Sequence, residues 1–456
     1  MIPDDVLLEI FSFYVDKAED VNEWHTLVHV CQSWRNVVFA SPRHLNLRLL
    51  CTNRSPVKDM LDIWPTTLPI IIQYNSGPLF PAKGADNIIA ALEHRDRVCE
   101  IALWGVLSSL LERFAAMTRE PFPALTSLLL GSNNEWTPAV PDSFLSGSAP
   151  RLRKLWLVNT PFPQLQKLLM SASDLVHLDL VNIPDSAYIS PETIVTCLSR
   201  MPGLQTLNLK FLSPRSRPDR MRQRPPVLTP TVLPALTLLG FQGASGYLED
   251  FVAQINAPIL TTLSVTFLGL VSRIPHLHQF ISCAEKLKPS NWVTLGFYIT
   301  NVCLKFVPSS GLELAIKCDD LPRQVSSMAV VCRELSPLLS RVERLDLLGR
   351  FTLGPVWQLT IQWEELFHPF IAVQSLHVSK KLSLLVAIAL EALTDERVIE
   401  VLPRLLYLFY QGFWPSSQVH ETTKPFITAR QQSSFPVAVL RWVRELDMYS
   451  EFGDLD

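Results

Sequence analysis

Met201-Pro202-Gly203-Leu204-Gln205-Thr206-Leu207-Asn208-Leu209 decides how this chain folds, because its spacing returns along most of the sequence. The pattern is a hydrophobic anchor, two variable positions, a leucine, one variable position and a second hydrophobic residue. A proline often stands two places before the anchor, as Pro202 stands before Leu204. It recurs as Val98-Ile101-Leu103, Leu125-Leu128-Leu130, Leu152-Leu155-Leu157, Leu175-Leu178-Leu180, Leu236-Leu239-Phe241 and Leu260-Leu263-Val265. Further along it reads Trp292-Leu295-Phe297, Val342-Leu345-Leu347, Val373-Leu376-Val378 and Leu405-Leu408-Tyr410. Alternation of the last two apolar residues is the period of a strand buried on one face. Between anchors the period changes to three and four, as in Leu248, Phe251, Val252 and Ile255, or Leu277, Phe280, Ile281 and Ala284. Strand then helix, many times over, predicts an α/β chain with a parallel sheet on one side and helices on the other.

The first eight anchors are separated by 23 to 32 residues. This spacing and the LxxLxL core resemble leucine-rich repeats, whose period is about 20–29 residues. The resemblance implies an irregular solenoid with strands on a concave face and helices on a convex one. Asn133 fits the turn that such repeats make after the strand, although most units lack an asparagine there. Leu312-Leu314-Ile316 marks a further unit within the long interval from Trp292 to Val342. In each core the residue between the last two apolar positions points away from them. Those positions hold Leu129, Trp156, Asp179, Asn208, Ser264, Asp346, His377 and Phe409. Trp156, Asp179, Asn208, Asp346, His377 and Phe409 are the candidates for target binding, since aromatic anchors with orienting polar groups suit protein recognition.

The first 45 residues read differently. Pro3, Asp4 and Asp5 open a helix: proline is tolerated in a first turn, and acids suit the positive end of the helix dipole. Val6, Leu7, Ile10, Phe11 and Tyr14 form one apolar stripe, and Leu27, Val30, Cys31, Trp34, Val37 and Val38 form another. Two short amphipathic helices cannot bury both stripes by themselves, which predicts docking on a partner or on the rest of the chain. The strings IPDDVLLEIFSFYV and WHTLVHVCQSWRNVVFASP resemble the F-box, with its Leu-Pro opening, Ile/Leu-rich first helix and Val-Cys-x-x-Trp-Arg helix. They are most similar to an expanded fungal set, with Ile2 where leucine is usual. The resemblance implies a helical module that docks on the Skp adaptor, and through it on cullin, by a helix-in-groove contact. Ile2, Pro3, Leu7, Leu8, Ile10, Phe11, Val30 and Trp34 would then face the adaptor. The function implied is a non-catalytic substrate receptor of a ubiquitin ligase, the alternative being a repeat scaffold without a ligase.

The expected domains are therefore an F-box module over residues 1–45, a connecting and capping segment over 46–97, the repeat array over 98–430 and a cap or tail over 431–456. The chain has 456 residues, 48% of them hydrophobic, and 40 basic residues against 43 acidic ones. That balance gives no reason to expect nucleic acid or a membrane surface as partner. One basic, proline-rich stretch, 214–226, reads as a solvated loop between repeats. Eight scattered cysteines without a CxxC pair read as free thiols in a reducing compartment, and the N-terminus does not read as a secretory signal. The location expected is cytoplasmic or nuclear. No phosphate loop, zinc helix or nucleophile elbow occurs in the sequence. His276 and His278 lie two apart on a predicted helix and so point to different faces. No cofactor and no catalytic role are expected.

Overall fold

Most anchor residues close a turn before the strand starts. Leu125, Leu152, Leu175, Leu204, Leu236, Leu260 and Leu405 each donate their N–H to the carbonyl three residues earlier, at 3.0–3.3 Å. Where a proline follows that carbonyl, as in Pro150, Pro202, Pro234, Pro258 and Pro403, its ring fixes the φ that the first corner of such a turn needs. The strand follows at once, with its alternate residues turned into the core.

The computed structural model describes residues 2–16, 23–75, 84–106, 108–132, 139–214, 229–269, 271, 273–287, 290–308, 311–350, 363–393, 397–411 and 418–442. Asn133, most of the basic stretch and the acidic tail from Glu445 lie outside the described residues. The chain forms two compact units, 1–212 and 213–456.

In the first unit seven strands pair in sequence order and in parallel. They are β1 (Leu49–Thr52), β2 (Ile70–Asn75), β3 (Val98–Trp104), β4 (Ser127–Gly131), β5 (Lys154–Val158), β6 (His177–Ile183) and β7 (Thr206–Phe211). Leucines 128, 130, 155, 157, 178, 180, 207 and 209 are all buried. Each such side chain contributes about 1.5–3 kcal/mol by leaving water. At the end of the strand or just after it, Gly105, Asn159 and Asn182 take positive φ of 68°, 51° and 54°, which glycine and asparagine tolerate best. The array begins at Leu49 and not at Val98: residues 46–97 supply two complete strands together with the helices Val57–Ile63 and Ala85–Leu92.

The N-terminal module comprises α1 (Asp4–Asp16), α2 (His25–Val30) and α3 (Gln32–Ala40). Its core contains Leu7, Phe11, Trp24, Leu27, Val28, Val37 and Val38, and continues into Leu45, Leu47 and Leu68 of the array. Trp24 donates from Nε1 to the carbonyl of Arg48, next to β1, at 3.0 Å. Trp64 packs edge-on to Trp24 at 5.2 Å and stacks on His25 at 4.6 Å.

The second unit holds β8 (Thr231–Val232), β9 (Leu238–Gly243), β10 (Ile255–Asn256), β11 (Thr262–Leu268), β12 (Trp292–Tyr298), β13 (Asn301–Val307), β14 (Leu312–Lys317), β15 (Arg344–Arg350), β16 (Ser375–Val378), β17 (Tyr407–Gln411) and β18 (Ala438–Trp442). β8 pairs only with β10, in parallel. The other strands lie in the order β9-β11-β14-β13-β12-β15-β16-β17-β18. All run parallel except β13, which is antiparallel to both neighbours. The unit expected at Leu312 is therefore a strand, but it lies out of chain order and has no repeat helix before it. Only Ile299 and Thr300 separate β12 from β13, too short for a crossover helix, so the chain reverses as a hairpin. β18 adds a last strand within the segment expected to be a cap or tail.

Repeat helices are joined by polar contacts as well as by packing. Glu249, buried in helix Ser245–Val252, accepts the N–H groups of His276 and Leu277, both at 2.9 Å. These are free donors in the first turn of helix Pro275–Cys283. Arg430, in helix Gln418–Gln432 and only 1% exposed, donates to the carbonyls of Val398 and Leu405 at 3.1 Å and of Pro403 at 3.4 Å. Arg430→Met removes the charge and leaves these buried acceptors without their donor. The expected loss is about 3 kcal/mol, or roughly 6–12 °C in Tm, read by thermal unfolding of the purified chain.

Candidate functional site

The strand face turned away from the helices carries the candidate residues, and strand register sorts them into two rows. Trp156, Asp179 and Asn208 are direct cross-strand neighbours on β5, β6 and β7. Asp346, His377 and Phe409 stand in the same relation on β15, β16 and β17. Each row lies within its own unit.

In the first row Trp156 is 46% exposed, while Asp179 and Asn208 are half-buried and joined by an amide-to-carboxylate hydrogen bond. In register with Trp156 stand Leu129, Ala102 and Gln73 on β4, β3 and β2. Beside them is an open cleft of about 460 Å³, lined by Thr52, Gln73, Asn75, Ala102, Trp104, Leu129 and their neighbours. Gly131 sets one wall: a Cβ there would lie 2.2 Å from the Trp104 ring, so only glycine lets the indole settle against the strand. The cleft sits at the C-terminal ends of parallel strands, and its volume falls in the range of ligand clefts.

In the second row the partners are internal. Asp346 is 5% exposed and is held by both Arg344 nitrogens, at 2.9 and 3.1 Å, while that guanidinium lies 4.0 Å over the Trp292 ring. His377 is buried and stacks on Phe409, centroids 4.2 Å apart and planes 17° apart. Asp346 and His377 were expected to point outward to a target; they lie on the outward face but are covered by these neighbours. Phe409 is half-buried, and Tyr407 beside it is exposed.

The N-terminal residues divide the same way. Ile2, Ile10 and Val30 are exposed at 53%, 51% and 59%, and Pro3 is exposed too. Leu7 and Phe11 lie inside the hairpin, Phe11 with its ring 4.7 Å from Trp34; Leu8 and Trp34 are half-buried against the same core. The outward stripe of α1 instead adds Val6 and Phe13, which share the Ile2 and Ile10 face at helical spacing.

Sequence reasoning missed Thr52, Gln73, Asn75, Ala102 and Trp104. Ala102 and Trp104 follow from the rule that picked out Leu129, because they alternate with Ile101 and Leu103. The others sit in repeats whose apolar runs, such as Ile70-Ile71-Ile72, do not alternate. Among the described residues no cluster of three His, Cys, Asp or Glu could hold a metal ion. None of the described helices is long and apolar enough to cross a membrane.

Each unit is thus a repeating α/β array with LxxLxL strand cores, and the first carries a helical module at its N-terminal end. No family model matches the chain, and no curated protein sequence matches it. Among solved structures it is similar to the crystal structure of an internalin from Listeria monocytogenes, with 11% identity over 81% of this chain and 86% of that one and a TM-score of 0.30.

Burial pushes His377 down to about 4, with Arg344 adding to the shift and Asp346 opposing it. An unfolded histidine takes its proton near 6.5. The unfolded chain therefore binds the extra proton between pH 6.5 and 4, and stability falls as pH drops through that window. His377→Asn should flatten this part of the profile of Tm against pH.

Proposed function

We propose that this chain is a substrate receptor of a Skp–cullin–F-box ubiquitin ligase. In this reading the N-terminal module holds the Skp adaptor and the repeat array holds a target protein. The observation that carries it is the outward stripe of α1. Val6 and Ile10 on α1, and Ile2 just before it, are all at least 45% exposed, beside an apolar face of the helix that already fills a core. Apolar residues aligned on one helix face and left uncovered suit a helix-in-groove contact. Val30 and the edges of Pro3, Leu8 and Trp34 extend the surface assigned to the adaptor, and Leu7 and Phe11 support it from beneath. Catalysis by this chain is then by proximity only, raising the effective concentration of a target lysine near the transferred ubiquitin.

The second reading, a protein-binding repeat scaffold without a ligase, is favoured by the continuity of the module with Leu45, Leu47 and Leu68. A module packed in this way also serves as the end cap that repeat arrays require.

Co-expression with the Skp adaptor followed by size-exclusion chromatography separates the two. The expected result is a stoichiometric complex that Val6→Asp or Ile10→Asp abolishes without lowering the Tm of the free chain. Phe11→Ala should instead lower stability by about 3–5 kcal/mol, because it opens a cavity. Adaptor-free chain with both proteins at micromolar concentration would exclude the ligase reading.

A further inference from the structure

We infer that this chain pairs with a second copy of itself through β18, the two strands running antiparallel about a two-fold axis. β18 has a neighbour on one side only: it pairs with β17, and among the described residues no strand lies beyond it. Ala438 donates its N–H to Leu406 O at 2.9 Å. In a parallel ladder alternate residues turn both backbone groups to the same neighbour, so Val439 turns its N–H and C=O away from β17. An edge of this kind takes up an extended backbone. A helix, whose own backbone groups are already paired, does not fit it.

Apolar surface lies on both sides of that edge. On the outward face Phe409 and Leu440 are direct cross-strand neighbours, and the Tyr407 ring lies 6.2 Å from that of Phe409. Tyr407 and Leu440 are exposed at 46% and 40%. On the core side Val439 is only half-buried, whereas Leu408, its partner in register on β17, is fully buried. One more strand beside β18 would cover Leu440 from the outward side and Val439 from the core side.

Charge and pattern select the occupant. The outward residues of β17 and β18 in this patch, Tyr407, Phe409, Ala438 and Leu440, carry no charge. Further along the same face Arg344 and Asp346 are joined to each other. Arg441, the single charge of β18, is engaged within its own chain. Identical surfaces can meet only where like charges do not collect, and this one meets that condition. β18 itself, Ala438-Val439-Leu440-Arg441-Trp442, is an extended strand with Ala438, Leu440 and Trp442 at alternate positions. It therefore has the form that its own edge requires. A two-fold axis normal to the sheet makes the pairing antiparallel and keeps both outward faces on one side. The Val439 backbone groups of both copies then lie in the joint, with each Leu440 beside the other copy's strand. Residues 445–456, which follow in sequence, hold five acids and no base and do not share that neutrality.

The test is sedimentation equilibrium of the full chain from about 1 to about 100 µM. The weight-average mass is expected to rise from that of one chain toward that of two, with the micromolar dissociation constant that a small interface gives. Val439→Pro removes an N–H that faces away from β17, so it spares the existing ladder and should raise the dissociation constant about tenfold or more. Leu440→Lys places a charge from each copy in the joint and should act in the same direction. Because Leu440 is exposed, this variant carries the test should Val439→Pro fold poorly. Ile10→Asp, which alters the exposed stripe of α1, should leave the dimer intact. A chain that stays monomeric at about 100 µM overturns the proposal, the edge then being covered within the chain or kept for another partner. So does a dimer that survives both β18 variants, or one that Ile10→Asp dissolves.

Discussion

A single carbonyl ahead of many strands ties one repeat to the next. Thr126 O accepts two consecutive N–H groups, of Arg153 and Lys154, at 2.8 and 3.0 Å. Arg153 O does the same for Val176 and His177, and Val176 O for Gln205 and Thr206. In the second unit Thr237, Asn291, Glu343 and Gln374 repeat the arrangement. Each of these carbonyls finds its donors on another segment of the chain, and a buried unpaired carbonyl costs about 1–3 kcal/mol. No repeat can satisfy its own backbone, so stability resides in the interfaces between repeats. This is why both ends of the array receive special chemistry. Trp24 covers the Arg48 carbonyl at one end, and near the other Arg430 gathers the carbonyls of Val398, Pro403 and Leu405 ahead of β17.

The same constraint frees the opposite face of the sheet. Because stability comes from the inward leucines and the ladder, outward positions accept side chains of any kind. In the first unit that freedom leaves an exposed Trp156 beside an apolar cleft. In the second it is used internally: the Arg344 fork on Asp346 and the His377 stack on Phe409 turn outward positions into a covered network. Two rows in identical register thus offer a partner very different surfaces.

Much of this was legible in the sequence. All eleven LxxLxL cores fall on strands, because an alternation that buries two leucines in five residues has few other solutions. The outward positions followed from the same alternation. Register could then be read, but burial could not. Arg344, two residues before Asp346 on the same strand face, was a usable signal for the fork, but the cover that Trp292 gives it comes from another strand. The reversal at Ile299 and Thr300 escaped for a related reason: β12, β13 and β14 alternate equally well in either direction, and direction is set by the missing helix. Asn159 and Asn182, seven residues after their anchors, were a usable signal for the turn that leaves the strand, as Gly105 is in its own repeat. Leu7 and Phe11 differ from Val6 and Ile10 by one place on the same helix. Only the position of Trp24 and Trp34 decides which stripe faces in.

The continuity of the N-terminal core with Leu45, Leu47, Trp64 and Leu68 bears on modularity. Although α1 to α3 end at Ala40, the smallest portable piece is longer than the helices suggest. A graft cut at that boundary would carry away Trp24 without the carbonyl it bonds and leave β1 with a bare edge in the donor. Exchange of such modules between chains therefore has its natural seam inside the array, after the first strand and helix have been taken along.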